Sequence, residues 1–277
     1  MRMPEQRGPD LSHDEIHDYF EIGWIVRRGL FRADEVARMQ ACFDELEEIA
    51  DELSETGPHR GAHFVLGGEK HGRRVLRRIV WAGGCRPYLL AIGSDARLTV
   101  PCAQLLRSHA MDHLLNQVHF KRPRDGVVFD WHQDIQHRDK GGGEWTDVNG
   151  RGSFVQTLIV LDEMTPDSGP LQFIPGSSKW GRVDFGDGAD GKPPQATNRP
   201  ARAREADAVT IVTITAQPGD TLFFGPYTAH ASFENRSDRY RRVLINGYAS
   251  PGANRRIYPG DGAGRRLFAP AGFSPSR

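Results

Sequence analysis

Between residues 114 and 249 the chain changes period. Eight short runs rich in aliphatic, aromatic and β-branched residues follow one another, at residues 114–121, 127–134, 154–161, 171–174, 209–215, 221–224, 228–234 and 242–249. Gly, Pro and Asp clusters separate them, and none is long enough to make a helix of ordinary length. Many short strands with turn punctuation predict antiparallel sheets closed into a double-sheet jelly roll. The expected fold is mainly β with flanking helices: a cupin-like double-stranded β-helix over residues 113–250, N-terminal helices and strands within residues 1–112 packed on one sheet, and an irregular tail at 251–277. Together these make one domain spanning residues 1–277.

The N-terminal part reads as support. Ser12 and Glu15 form a capping box ahead of Ile16, Tyr19 and Phe20 at helical spacing. A short strand is expected at 23–26. Residues 33–53 carry the clearest amphipathic helix, with Val36, Met39, Phe43, Leu46 and Ile49 on one stripe. Residues 57–72 read as a loop with at most a short strand at 63–66, residues 74–80 as a strand, and 87–106 as mostly helical. The long segment 177–207, rich in Gly, Pro and charge, reads as a loop.

The run at 127–134 ends in His132-Gln133-Asp134. Strand side chains alternate between faces, so His132 and Asp134 share one, about 7 Å apart at their α-carbons. A second histidine, His230, lies beside the run at 221–224 and reaches the same face from an adjacent strand. Two imidazoles and one carboxylate form the facial set that holds non-haem Fe(II) and leaves coordination positions open. A closed structural zinc site would want thiolates or more imidazoles. The tripeptide alone is weakly specific. His137-Arg138-Asp139 repeats it in an expected loop, His109 and Asp112 are one residue too far apart, and Asp130 shares the parity of His132.

The surroundings of His230 add specificity. Ser232 follows it by two residues and Arg241 by eleven, and Ser168-Gly169-Pro170-Leu171-Gln172-Phe173-Ile174-Pro175-Gly176-Ser177 lies between the ligand candidates. Together with Phe129, three residues before His132, this pattern resembles the phytanoyl-CoA dioxygenase family of Fe(II)/2-oxoglutarate oxygenases, which includes the ectoine hydroxylases. The resemblance covers roughly residues 114–249. It departs at Ser178, where the family commonly has His, and at His119, where ectoine hydroxylases have an Asn contacting the cosubstrate.

The resemblance implies that His132, Asp134 and His230 ligate Fe(II). It implies too that Arg241 and Ser232 bind the far carboxylate of 2-oxoglutarate, a task suited to the planar guanidinium fork. Phe129 and His119 would lie beside that cosubstrate, His119 being equally readable as a core histidine. The implied reaction uses O2 and decarboxylates 2-oxoglutarate to succinate and CO2 while hydroxylating an unactivated C–H of a small molecule. Related halogenases have Gly or Ala at the carboxylate position, so Asp134 favours hydroxylation, with desaturation and cyclisation open. Two other functions share the barrel: a metal-binding cupin-like isomerase or hydrolase, and a non-enzymatic binding protein.

Formal net charge is zero, with 36 basic and 36 acidic residues, which argues against a nucleic-acid partner. Three scattered cysteines and no CxxC pair fit a reducing compartment, and no apolar run would cross a bilayer, so a cytoplasmic protein is expected. The basic run Lys70, Arg73, Arg74, Arg77 and Arg78 is either an exposed strand face or a clamp for an anionic substrate. Trp145 is either a pocket wall or loop packing. Asp184, Asp187 and Asp190 faintly suggest a calcium loop and are better read as a mobile acidic loop. His59 and His63 belong to a loop, and the kinase-like tripeptides at 137–139 and 184–186 lack a phosphate loop upstream. The substrate, an anionic molecule or a natural-product intermediate among the candidates, and the oligomeric state stay open.

Overall fold

The computed structural model describes residues 8–270, except 71, 184 and 186–209, together with residue 273. The Ser12 hydroxyl accepts from the Glu15 amide and the Glu15 carboxylate accepts from the Ser12 amide, which opens helix α1 (His13–Ile22). Strand β1 (Trp24–Arg27) and helix α2 (Ala33–Glu52) follow, then β2 (Gly57–His59), β3 (Ala62–Lys70), β4 (Arg73–Val80), α3 (Pro87–Ile92) and α4 (Ala96–Leu106). The barrel is built from β5 (Ala110–Lys121), β6 (Phe129–His132), the short helix α5 (Asp134–Arg138), β7 (Phe154–Val160), β8 (Leu171–Phe173), β9 (Val212–Thr213), β10 (Thr221–Phe224), β11 (His230–Ser232) and β12 (Arg241–Ala249). A last strand, β13 (Arg265–Phe268), pairs back on β5.

Among the described residues the strands form two sheets. The larger runs β1-β10-β7-β12-β5-β4-β3-β2, and the smaller β6-β11-β8-β9. This is the expected jelly roll. Alternation along the larger sheet explains how it serves two environments at once. On β12, Leu244 packs into the helix-side core, while Arg241, Val243 and Ile245 line the barrel cavity. On β5, Val118 and Phe120 face the helices, and Leu115, Gln117 and His119 face the cavity. Helix α2 covers the outer face with Met39, Phe43 and Leu46, each fully buried. Burial of side chains of this size stabilises by roughly 1.5–3 kcal/mol apiece. Inside the barrel, Trp24 of one sheet stacks on Phe173 of the other at 4.7 Å, which ties the two sheets together beside the cavity-lining Phe224 and His230.

Three expectations need correcting. Residues 57–70 form the strands β2 and β3 in place of a loop, because β4 offers β3 a paired edge; the ladder shifts register between Leu66 and Glu69, where Gly67 and Gly68 sit. The tail is not irregular throughout, since β13 is held by β5. The strand expected at 127–134 is only Phe129–His132 long. Residues 187 and 190 of the suggested calcium loop lie outside the described residues, as does 184. Among the described residues no helix is long and apolar enough to cross a membrane.

Candidate metal centre

Strands β6 and β11 are antiparallel neighbours, and their register sets His132 opposite His230. The two ring centroids lie 4.2 Å apart. His132 Nδ1 lies 2.6 Å from the Asp130 carbonyl and His230 Nδ1 lies 2.9 Å from the Thr228 carbonyl. A carbonyl only accepts, so each Nδ1 carries the proton and donates it, and each Nε2 keeps its lone pair. This is how metal-binding imidazoles are fixed in tautomer and orientation.

Asp134 reaches the same place by a route that strand alternation did not foresee. It is the first residue of α5, and the helical turn delivers its carboxylate. Gln133, fully buried between the two, fixes that turn: its amide donates to the carbonyls of Gly181 and Tyr227 and accepts from the Val183 amide. One nitrogen from each imidazole and one carboxylate oxygen lie within 4.8 Å of one another. Asp134 is buried, and its Oδ2 has no hydrogen-bond partner. Burial alone would raise its pKa, but His230, Arg138 and His132 together hold it below the usual carboxylate range. Burial, then His132, pushes His230 down to about 4. A charged carboxylate and a neutral imidazole are the ligand forms a divalent cation requires, and an orphaned buried carboxylate oxygen is what such a cation would satisfy. The residues fit Fe(II).

The rival candidates fall away. Asp130 is exposed and contributes its carbonyl to His132. In the second tripeptide, expected in a loop, His137 and Arg138 close α5, and Asp139 pairs with Arg182 at 2.9 Å. Asp112 pairs with Arg266, and His109 meets the ring of Phe273.

Deeper in the barrel, Arg241 is buried on β12. Its Nη2 donates to Ser232 Oγ at 2.5 Å and to the Gly169 carbonyl at 2.9 Å, while Nε has no partner. Burial pushes its guanidinium down to about 10. Ser232 Oγ donates to the same Gly169 carbonyl at 3.0 Å. Gly169 adopts φ +71°, and a Cβ there would meet the Phe233 carbonyl at 2.4 Å, so only glycine lets this carbonyl reach both groups. Directly across the ladder from Arg241 stands Lys121, fully buried, whose Nζ donates to Ser232 Oγ at 2.6 Å, to the Ser232 carbonyl at 2.7 Å and to the Phe233 carbonyl. Burial, then Arg241, drives the Lys121 pKa well below its ordinary value. Two cations thus share one buried serine without a carboxylate between them. The sequence reading missed Lys121. The available signal was the parity of Gln117, His119 and Lys121, alternating with Val118 and Phe120.

A cavity of about 300 Å³ joins the triad to this floor. His119 and Phe129 both line it, stacked at 4.8 Å, and His119 Nε2 is buried without a partner. Burial, then Arg78, keeps His119 well below the ordinary histidine pKa, so it presents a neutral ring. The basic run divides: Arg73 pairs with Asp51 on the outside, whereas Arg78 lines the cavity, contrary to a wholly exposed face. His63, on β3 and not in a loop, lines it too. Trp145 does not; it packs edge-on to Phe154 and donates to the Gly152 carbonyl.

A jelly roll with a two-histidine, one-carboxylate cluster above a buried guanidinium has the layout of the non-haem iron oxygenases that use 2-oxoglutarate. The chain matches the phytanoyl-CoA dioxygenase (PhyH) family over residues 19–243 and belongs to that family. It is a 2-oxoglutarate-dependent non-haem iron dioxygenase. It is 30% identical over 261 residues to dioxygenase lolE1 of Epichloe uncinata, covering 87% of this chain and 83% of the relative. It is 28% identical over 184 residues to the L-proline trans-4-hydroxylase of Streptomyces griseoviridis, covering 53% of this chain and 62%, less than two thirds, of that protein. The crystal structure of EctD from S. alaskensis with bound Fe superposes with a TM-score of 0.66 at 25% identity, over 91% of this chain and 80% of that one.

Proposed function

We propose that the protein hydroxylates an unactivated C–H bond of a small molecule in a single catalytic domain, with His132, Asp134 and His230 as the iron ligands. The observation that carries this reading is the pairing of Asp134 Oδ2, buried and unpartnered, with two imidazoles whose Nδ1–H groups are already engaged by backbone carbonyls. Bound there, Fe(II) with O2 supplies the oxidising power: 2-oxoglutarate loses CO2 and becomes succinate, one oxygen atom entering succinate and the other the substrate.

The protein's own residues position and exclude. Arg241, with Ser232, holds the far carboxylate of 2-oxoglutarate, each charge-assisted bond contributing roughly 1.5–3 kcal/mol net, while Lys121, its donors taken by Ser232 and Phe233, braces Ser232 from behind. The unpartnered Arg241 Nε supports that role, since an arriving carboxylate satisfies it. Phe129 and His119 wall the cosubstrate on one side. Leu158, Phe224 and Ile245 give the cavity apolar walls that keep water from the reacting centre. No side chain is required as a general base.

Anaerobic addition of Fe(II) and 2-oxoglutarate should produce a weak visible charge-transfer band, and air should then release succinate when a substrate is present. The His132→Ala variant should lose the band. A band that survives this substitution would remove His132 from the iron and the reading with it.

A further inference from the structure

The triad and its floor leave a second polar feature of the cavity unexplained. Arg138 is 5% exposed, yet its Nε and Nη1 have no hydrogen-bond partner, and among the described residues no carboxylate pairs with it. Its guanidinium lies against the rings of Phe154 at 5.1 Å and Tyr258 at 5.2 Å, which hold it in place without using its in-plane donors. Arg78 reaches the cavity from β4, also with a buried, unpartnered Nε. Arg256 lies over the Tyr258 ring at 5.2 Å as well, tied to the His137 carbonyl. The Tyr258 hydroxyl is buried without a partner as well.

Guanidinium groups brought together out of water repel one another. Burial, then Arg138, lowers the Arg78 pKa from its ordinary value, as expected for cations that share no hydrogen-bonded carboxylate. An unpaired buried cation is costly unless something arrives to neutralise it. The far carboxylate of 2-oxoglutarate already has Arg241, whose own partners are Ser232 and Gly169. Arg138 stands four residues after Asp134 on the same short helix, so both lie on one face, a single helical turn apart.

We propose that the substrate carries an oxyanion, a carboxylate or a phosphate, which Arg138 and Arg78 grip within the cavity, with Arg256 and the Tyr258 hydroxyl beside it. This inference rests on the oxygenase reading of the site and gives its substrate a chemical class. The grip turns the substrate so that C–H bonds close to the anionic group face the triad. The oxidation stays balanced as described, one oxygen atom to the substrate and one to succinate, and the oxyanion is unchanged by it.

The test uses the full chain loaded anaerobically with Fe(II) and 2-oxoglutarate. Benzoate and phenyl phosphate are titrated against benzamide and benzyl alcohol, following the charge-transfer band and tryptophan fluorescence. The two anions should bind and the neutral compounds should not. Arg138→Gln and Arg78→Gln should each weaken the anions roughly ten- to a hundredfold, as expected for the loss of one charge-assisted contact. Arg138→Lys should restore part of the loss, and 2-oxoglutarate affinity should hold in all three. Equal binding of anions and neutral compounds, or no anion binding by the wild type, overturns the proposal. So does a loss of 2-oxoglutarate affinity in folded Arg138→Gln, because the cations would then serve the cosubstrate. Absence of the charge-transfer band in the wild type would instead strike the oxygenase reading, which keeps the two failures apart.

Discussion

Replacing Arg241 by Gln probes the floor of the barrel without touching the triad. The side chain is buried, its Nη2 is divided between Ser232 Oγ and the Gly169 carbonyl, and its Nε is free. An arriving carboxylate therefore meets a cation already braced by the protein, and little ordering remains to be done on binding. Removing one partner of a buried, hydrogen-bonded charge pair costs about 2–5 kcal/mol. Ser232 remains in place, braced by Lys121, so the loss belongs in the lower part of that range. At about 2–4 kcal/mol the dissociation constant of 2-oxoglutarate should rise roughly 30- to 700-fold. Anaerobic titration of 2-oxoglutarate into the Fe(II)-loaded protein, read by its charge-transfer band, gives the constant directly. Fe(II) affinity without cosubstrate should be unchanged, because β6, β11 and α5 carry the triad. A folded Arg241→Gln protein that binds 2-oxoglutarate as tightly as the wild type refutes the assignment of this end of the cavity.

Other consequences follow from the same geometry. His230 is held at about 4 in the folded chain against an ordinary 6.5, so the unfolded chain takes up a proton first as pH falls. In the metal-free protein the stability contributed by His230 should be full above about 6.5 and fall by about 3 kcal/mol on the way to about 4, and the buried, depressed His113 and His137 add to it in the same direction; urea melts that do not differ between neutral pH and pH 5 would contradict this. Gly169→Ala forces a Cβ into the Phe233 carbonyl at positive φ. It should destabilise by roughly 1–3 kcal/mol and weaken 2-oxoglutarate binding, seen as a lower melting temperature and a higher dissociation constant. Gln133→Leu strips the Gly181 and Tyr227 carbonyls and the Val183 amide of their partner. At about 1–3 kcal/mol for each group left unsatisfied, it should loosen α5 and lower Fe(II) affinity, whereas an unaltered affinity would free Gln133 of any positioning role.

The sequence carried the triad because its members are rare residue types in a recognisable order, with Ser232 and Arg241 at the family spacing. It also carried the jelly roll, since short alternating runs have few other ways to bury themselves. It did not carry the turn at Gln133. Strand alternation brought His132 and Asp134 together on the page, whereas in the molecule a helix start supplies the carboxylate. Arg78 was legible only as one member of the basic run 70–78, Arg138 sits at the end of the short helix α5, and Lys121 was hidden by its strand. A polar residue at every second strand position normally marks a solvent face, and here that face lines an internal cavity. Nothing local in the sequence separates water outside a barrel from a polar chamber within it. The pairing of β13 with β5 was equally hidden, because Arg265-Arg266-Leu267-Phe268 is too short and too basic to stand out.

That last strand bears on the shape of the chamber's rim. Arg256, Tyr258 and Pro259 border the chamber and are carried there by a segment that β13 pins against β5. Part of the rim is thus contributed by chain that follows the last barrel strand, apart from the strands and helix that carry the triad and Arg241. Transplanting residues 251–268 from a relative should accordingly alter which compounds are accepted before it alters how oxygen is consumed.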